Sequence, residues 1–170
     1  MRYNIIRYFT AVILIFFFGS PIFADTVLKD EITIDDGKII STIVRTIKKM
    51  DKFPYKKGMW WGQFQKKPRK ELEIISDIEI TIGKESVTVP LSAYSNLADP
   101  RSIKILKKID KIYLVISGGG EGTGYKARLE IMKFKHLKGY YVGKKKVFDR
   151  VFADDAWEET DYKFNEGNGR

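Results

Sequence analysis

Four features of the chain carry residue types that could do chemistry: a glycine-rich run, a single histidine, a cluster of carboxylates, and a stretch that mixes tryptophans with basic residues. The run GGGEGTGYK places five glycines within the seven residues 118–124. A dinucleotide fingerprint needs G-x-G-x-x-G between a strand and a helix, and a phosphate loop needs lysine directly after its last glycine. No start position gives the first spacing, and Tyr125 stands where the second requires lysine. The residues that follow, YKARLEI, alternate as a strand does, so no helix N-terminus would face a phosphate. The run therefore reads as a hairpin loop. Its glycines, Gly120 and Gly122 among them, mark positions of positive φ or of close approach by another surface.

His136 is the only histidine and the chain has no cysteine. Thiol nucleophiles and disulfides are thereby excluded, and a multi-histidine zinc site is impossible. His136 sits in KFKHLKG, a lysine-rich turn, and no serine has the G-x-S-x-G surroundings of a nucleophile elbow. The segment DDAWEETD gathers Asp154, Asp155, Glu158, Glu159 and Asp161 around Trp157. Paired carboxylates hydrolyse glycosidic bonds when one is held protonated, so a carboxylate-dependent hydrolase acting on an envelope glycan is the alternative function. In a helix Asp155 and Glu158 would belong to a capped first turn, whereas in a strand Glu159 and Asp161 would share a face. The oxygen-ligand spacing of a calcium loop is missing. The sequence assigns no catalytic, cofactor-binding or metal-ligating residue, and no cofactor.

The stretch FPYKKGMWWGQFQKKPRKE, residues 53–71, is the stronger functional feature. Lys56, Lys57, Lys66, Lys67, Arg69 and Lys70 surround Trp60, Trp61 and Phe64. Aromatic rings supply contact area and the cations attract anions, so the combination suits an acidic protein, a polyanionic envelope polymer or a membrane interface. The expected partner-binding set is Lys56, Lys57, Trp60, Trp61, Phe64, Lys66, Lys67, Gly120 and Gly122. A second lysine group, Lys133, Lys135, Lys138, Lys144, Lys145 and Lys146, would extend this positive surface if its turn lies nearby.

The elements that must position these groups are strands. Ile32 and Ile34 alternate with polar residues, DDGK turns the chain, and residues 38–50 are rich in isoleucine, valine and threonine, though imperfect alternation leaves room for a bulge or a helical segment. In LEIISDIEITI the pattern places Leu72, Ile74, Ile78, Ile80 and Ile82 on one face, with Glu73, Asp77, Glu79 and Thr81 on the other. Leu91, Tyr94, Leu97 and Ala98 have the spacing of one or two helical turns, which Pro100 ends. Strand patterns resume in SIKIL, KIYLVIS, YKARLEIMKF, YYVG and KKVFDRVF. The fold expected is all-β, an antiparallel β-sandwich or barrel of about eight strands with one short helical insert.

The N-terminal residues read as a secretory signal peptide: Arg2 and Arg7 give a positive head, an apolar core follows, and Ala24 offers a cleavage site. Residues 1–24 are thus the signal, 25–164 a single β-rich domain, and 165–170 a flexible tail. Removing Arg2 and Arg7 with the signal takes the formal charge from +9 to +7. The expectation is a small secreted or periplasmic binding protein, with no nucleic acid partner and no stable transmembrane segment after signal removal. Oligomeric state is open.

Overall fold

A computed structural model describes residues 26–34, 36–50, 71–120, 124–149 and 157–164. Among the described residues there are nine strands: β1 (Val27–Thr33), β2 (Ile39–Met50), β3 (Glu71–Ile82), β4 (Glu85–Thr88), β5 (Pro100–Lys108), β6 (Lys111–Gly118), β7 (Tyr125–Lys133), β8 (Tyr140–Asp149) and β9 (Trp157–Asp161). Eight follow one hydrogen-bonded path, β1-β2-β3-β4-β8-β7-β6-β5, and β9 joins β8. A 3-10 turn at Leu91–Ala93 is the short helical insert.

The path is two four-strand meanders laid side by side. β5 begins at the end of the barrel where β4 stops, so β8, three hairpins later, runs in the direction of β4. The two meanders therefore join through a parallel pairing, Val87 with Tyr140 and Thr88 with Tyr141. This is the one departure from the antiparallel sheet expected, and the connectivity requires it. By the same count β1 and β5 run in one direction where the sheet curls round to meet itself. Parallel ladders are the weaker kind, and none forms there. Instead the Ile105 N–H donates to Asp30 Oδ2 at 2.5 Å, so a side chain occupies the seam of a nearly closed barrel.

Inward-facing residues of both meanders make one core, including Ile40, Val44, Ile78, Ile80 and Ile82 from the first, and Leu114, Ile116, Ala127, Leu129 and Val147 from the second. A bulge changes the pattern read from β3. Arg45 pairs with Asp77 but Thr46 pairs with Ile75, which leaves Ser76 as the extra residue. Side-chain parity flips there. Ile75 is in the core, Ile74 is half-buried, and Leu72 is buried outside the main cluster. The expected common face of Leu72, Ile74, Ile78 and Ile80 is thus corrected, because strict alternation fails across an inserted residue. Glu73, expected on the solvent face, brings its carboxylate to the buried Thr46 hydroxyl.

A second bulge shapes the opposite side of the barrel. Glu130 pairs with Lys144 and Ile131 with Val142, so Gly143 is the extra residue of β8. Lys144, Lys146 and Phe148 consequently point outward, while Lys145 shares the inward parity of Val147 and is 1% exposed. Lys145 does not extend a positive surface as expected. Its Nζ meets Glu158 Oε1 and Asn96 Oδ1, each at 2.9 Å, and Asn96 Nδ2 donates to Glu158 Oε2 at 3.2 Å. The pair fastens β9 and the segment after the 3-10 turn to the barrel interior.

The glycine run has a structural explanation in its described part. Gly118 pairs with Tyr125, and a Cβ on Gly118 would lie 2.5 Å from the Tyr125 hydroxyl oxygen. The tyrosine ring lies over the bare glycine backbone and is 1% exposed. Gly119 has φ 81°, and its N–H donates to the Asp99 carbonyl at 3.0 Å. The run joins β6 to β7 as the hairpin loop expected from its sequence.

Candidate ligand-binding groove

Outward parity on β6, β7 and β8 brings Tyr113, Arg128, Glu130, Lys144, Lys146 and Phe148 together, with Lys111 at the start of β6. The register makes the grouping necessary. Tyr113 is opposite Glu130, and Glu130 is opposite Lys144 on its other side. Arg128 is opposite Lys146. Together they line a shallow groove of about 280 Å³, near the lower size limit for small-ligand sites.

Arg128 is the centre of this groove. Its guanidinium carbon lies 5.5 Å from the Tyr113 ring centre and 5.4 Å from that of Phe148. Both are within the range in which a cation is attracted to an aromatic quadrupole. The rings hold the planar fork in place but do not neutralise it, and Arg128 has no carboxylate partner among the described residues. The lysines beside it do have partners. Lys111 Nζ is 2.9 Å from Glu130 Oε1. Lys144 bridges Glu159 at 2.7 Å and Asp161 at 3.3 Å, and Lys146 reaches the other Glu159 oxygen at 2.8 Å.

These pairs set the protonation of the groove. Hydrogen bonds from Lys144 and Lys146 hold the Glu159 carboxyl below its usual value, and Glu159 and Asp161 hold the Lys144 ammonium above its own. Glu130 likewise raises Lys111. Glu159 and Asp161 do share a face of β9, as a strand reading of the acidic segment requires. Glu158 alternates inward to Lys145. Asp154 and Asp155 lie outside the described residues.

Past the groove toward the β7–β8 turn lies an aromatic cluster. Phe134 stacks on Tyr141 with ring centres 4.6 Å apart, and Phe164 meets their edges at 5.9 and 5.0 Å. Gly143 makes room beside it: a Cβ there would collide with the Met132 sulfur, which crosses the bulge.

The basic aromatic set expected from the sequence, Lys56, Lys57, Trp60, Trp61, Phe64, Lys66 and Lys67, lies outside the described residues, as does Gly122. Gly120 is described and half-buried. The residues flanking that basic stretch, Met50 and Glu71, pair at the end of the barrel that also carries the glycine loop. Lys133, Lys135 and Lys138 belong to the opposite end, so they do not continue a surface from Met50 and Glu71. His136 is exposed in the β7–β8 turn, as expected.

Sequence reasoning missed Arg128 as a site residue. The available signal was the outward alternation of Tyr113 in one strand and Arg128 and Phe148 in others, but only strand order and register bring the three together. Among the described residues no group of three or more His, Cys, Asp or Glu side chains could hold a metal ion, and no helix is long and apolar enough to cross a membrane. Comparison with protein-family models, curated proteins and solved structures returned no match.

Proposed function

We propose that this chain is an exported, non-catalytic binding protein that recognises an anionic envelope component or an acidic protein, and that the outer groove is a binding surface for the anionic group. One observation carries the reading: Arg128 is held between Tyr113 and Phe148 without a carboxylate partner among the described residues, while the surrounding lysines are ion-paired. A planar guanidinium fixed by stacking loses little freedom when it takes a carboxylate or phosphate in bidentate fashion. The rings on either side offer contact area to whatever carries that anion. Export rests on the positive head, apolar core and Ala24 of the N-terminal sequence. Carboxylate-dependent hydrolysis draws less support. A general acid needs its carboxyl raised, whereas Glu159 is lowered and Glu130 is ion-paired.

Titration calorimetry with poly-L-glutamate and with polyphosphate tests the groove. Arg128→Gln should weaken binding at least tenfold, whereas Lys126→Gln, exposed on the same face of β7 outside the groove, should change it little. Equal affinities for wild type and Arg128→Gln would overturn the assignment.

A further inference from the structure

Two turns at one end of the barrel present aliphatic tips ringed by lysines. Ile109, in the β5–β6 turn, is 88% exposed, the highest value among the exposed large hydrophobics of the described residues. Its φ is 48°, in the left-handed region. A β-branched side chain is disfavoured there, where glycine or asparagine relieves the steric conflict. The turn therefore carries a local cost and an exposed apolar side chain at the same position, and neither serves folding or solubility. Leu137, in the β7–β8 turn, is 52% exposed. That turn is well supported: the Phe134 N–H donates to the Gly139 carbonyl at 3.2 Å, and the Phe134 ring rests on Tyr141.

The sheet brings the two tips to the same end. Ile112 pairs with Ile131, so β6 begins where β7 finishes and the two turns leave the barrel side by side. Lys107, Lys108 and Lys111 flank the first tip, and Lys133, Lys135 and Lys138 flank the second, all exposed. Asp110 is the only acid in residues 107–111 and 133–138.

We propose that this end of the barrel docks on an anionic lipid bilayer, with Ile109 and Leu137 entering the headgroup layer and the lysines lying against lipid phosphates. Separate convex aliphatic points need a surface that yields around each of them. A fluid interface does so without preformed pockets, and it offers negative charge at the level of the lysine heads while their stems cover apolar surface. The inference stands apart from the groove reading, with which it shares only Lys111.

The absence of cysteine makes the test direct. Single-cysteine variants Ile109→Cys, Leu137→Cys and Lys126→Cys, each labelled with a polarity-sensitive fluorophore, are mixed with phosphatidylcholine vesicles containing phosphatidylglycerol. Lys126, near the other end of β7, is the control. The two tip labels should shift to the blue and the Lys126 label should not. Neutral vesicles, or salt near about 0.5 M where screening acts within about 4 Å, should largely abolish the shift. Unlabelled Ile109→Asn and Leu137→Asn should each weaken vesicle partitioning by about tenfold, as expected for partial burial of one aliphatic side chain. Arg128→Gln should leave partitioning unchanged. No shift at either tip would overturn the proposal. An equal shift with soluble poly-L-glutamate would also overturn it, in favour of an acidic protein partner.

Discussion

The interior ion pair of Lys145 with Glu158 predicts an asymmetry between its two halves. Lys145 is 1% exposed, whereas the Glu158 side chain is 35% exposed. Removing the carboxylate in Glu158→Ala leaves an ammonium inside the barrel with only Asn96 Oδ1, among the described residues, to accept from it. Breaking a buried pair in this way costs about 3–5 kcal/mol, and the remaining Asn96 contact places the expectation at about 3 kcal/mol. Lys145→Met removes the buried charge itself and replaces it with an apolar chain of similar length. Glu158 can then turn to water through its exposed third, so the cost should stay within about 1 kcal/mol. With a urea slope of about 2 kcal/mol/M, Glu158→Ala should lower the denaturation midpoint by about 1.5 M and Lys145→Met by less than about 0.5 M. The double variant should resemble Lys145→Met alone, because no buried ammonium remains to be stranded. Equal losses for the two single variants, or a larger loss for Lys145→Met, would refute the reasoning. Either result would mean that Lys145 is held by packing rather than by charge.

Three further outcomes are expected. Gly118→Ala should cost at least about 2 kcal/mol because its Cβ would lie within 2.6 Å of three Tyr125 ring and hydroxyl atoms, while Tyr125→Phe should be neutral or stabilising because the buried hydroxyl has no hydrogen-bond partner among the described residues; thermal unfolding of both variants checks the pair. Asp30→Ala should lose about 1.5–3 kcal/mol, the range for a hydrogen bond to a charged group, and should speed amide exchange at Ile105, read by hydrogen–deuterium exchange. The lowered folded value of Glu159 means its ion pairs contribute stability above the ordinary glutamate range and lose it as pH falls through the lowered value; a carboxylate titration by NMR should move upward in Lys144→Gln and further upward when Lys146→Gln is added.

Much of the fold can be read from individual side chains. The β-branched density of β2, the turn at Gly37, the helical spacing that became a 3-10 turn and the alternation of β7 each report their local structure because the signal lies within a few residues. Imperfect alternation within residues 38–50 leaves room for a bulge or a helical segment there, and the segment is strand. The inserted residue is instead Ser76 on the neighbouring strand, because a bulge is a property of the pairing rather than of one sequence. The same distinction separates Lys145 from Lys144 and Lys146. In sequence they form one lysine run, and a surface reading is natural. Only the bulge at Gly143 and the pairing with β9 decide that the middle one faces Glu158. Arg128 was not legible for a related reason: its two aromatic neighbours come from other strands, and cross-strand neighbours depend on a register the sequence does not state.

The two proposed surfaces follow from one feature of the topology. Because the second meander is a run of hairpins, its outer face and its turns are continuous, and lysines placed along it serve different ends according to their surroundings. In the groove Glu130, Glu159 and Asp161 pair with lysines and leave Arg128 as the groove cation without a carboxylate partner among the described residues. At the turns carboxylates become scarce, and the same residue type gives a spread of positive charge around Ile109 and Leu137. A fixed guanidinium between rings favours one oriented anion, whereas ammonium groups spread around aliphatic tips favour a diffuse anionic surface. The groove lies on the side of the barrel, so docking by the turns would leave Arg128 beside the membrane rather than beneath it. A ligand carried at the bilayer surface could then reach the groove while the tips remain engaged.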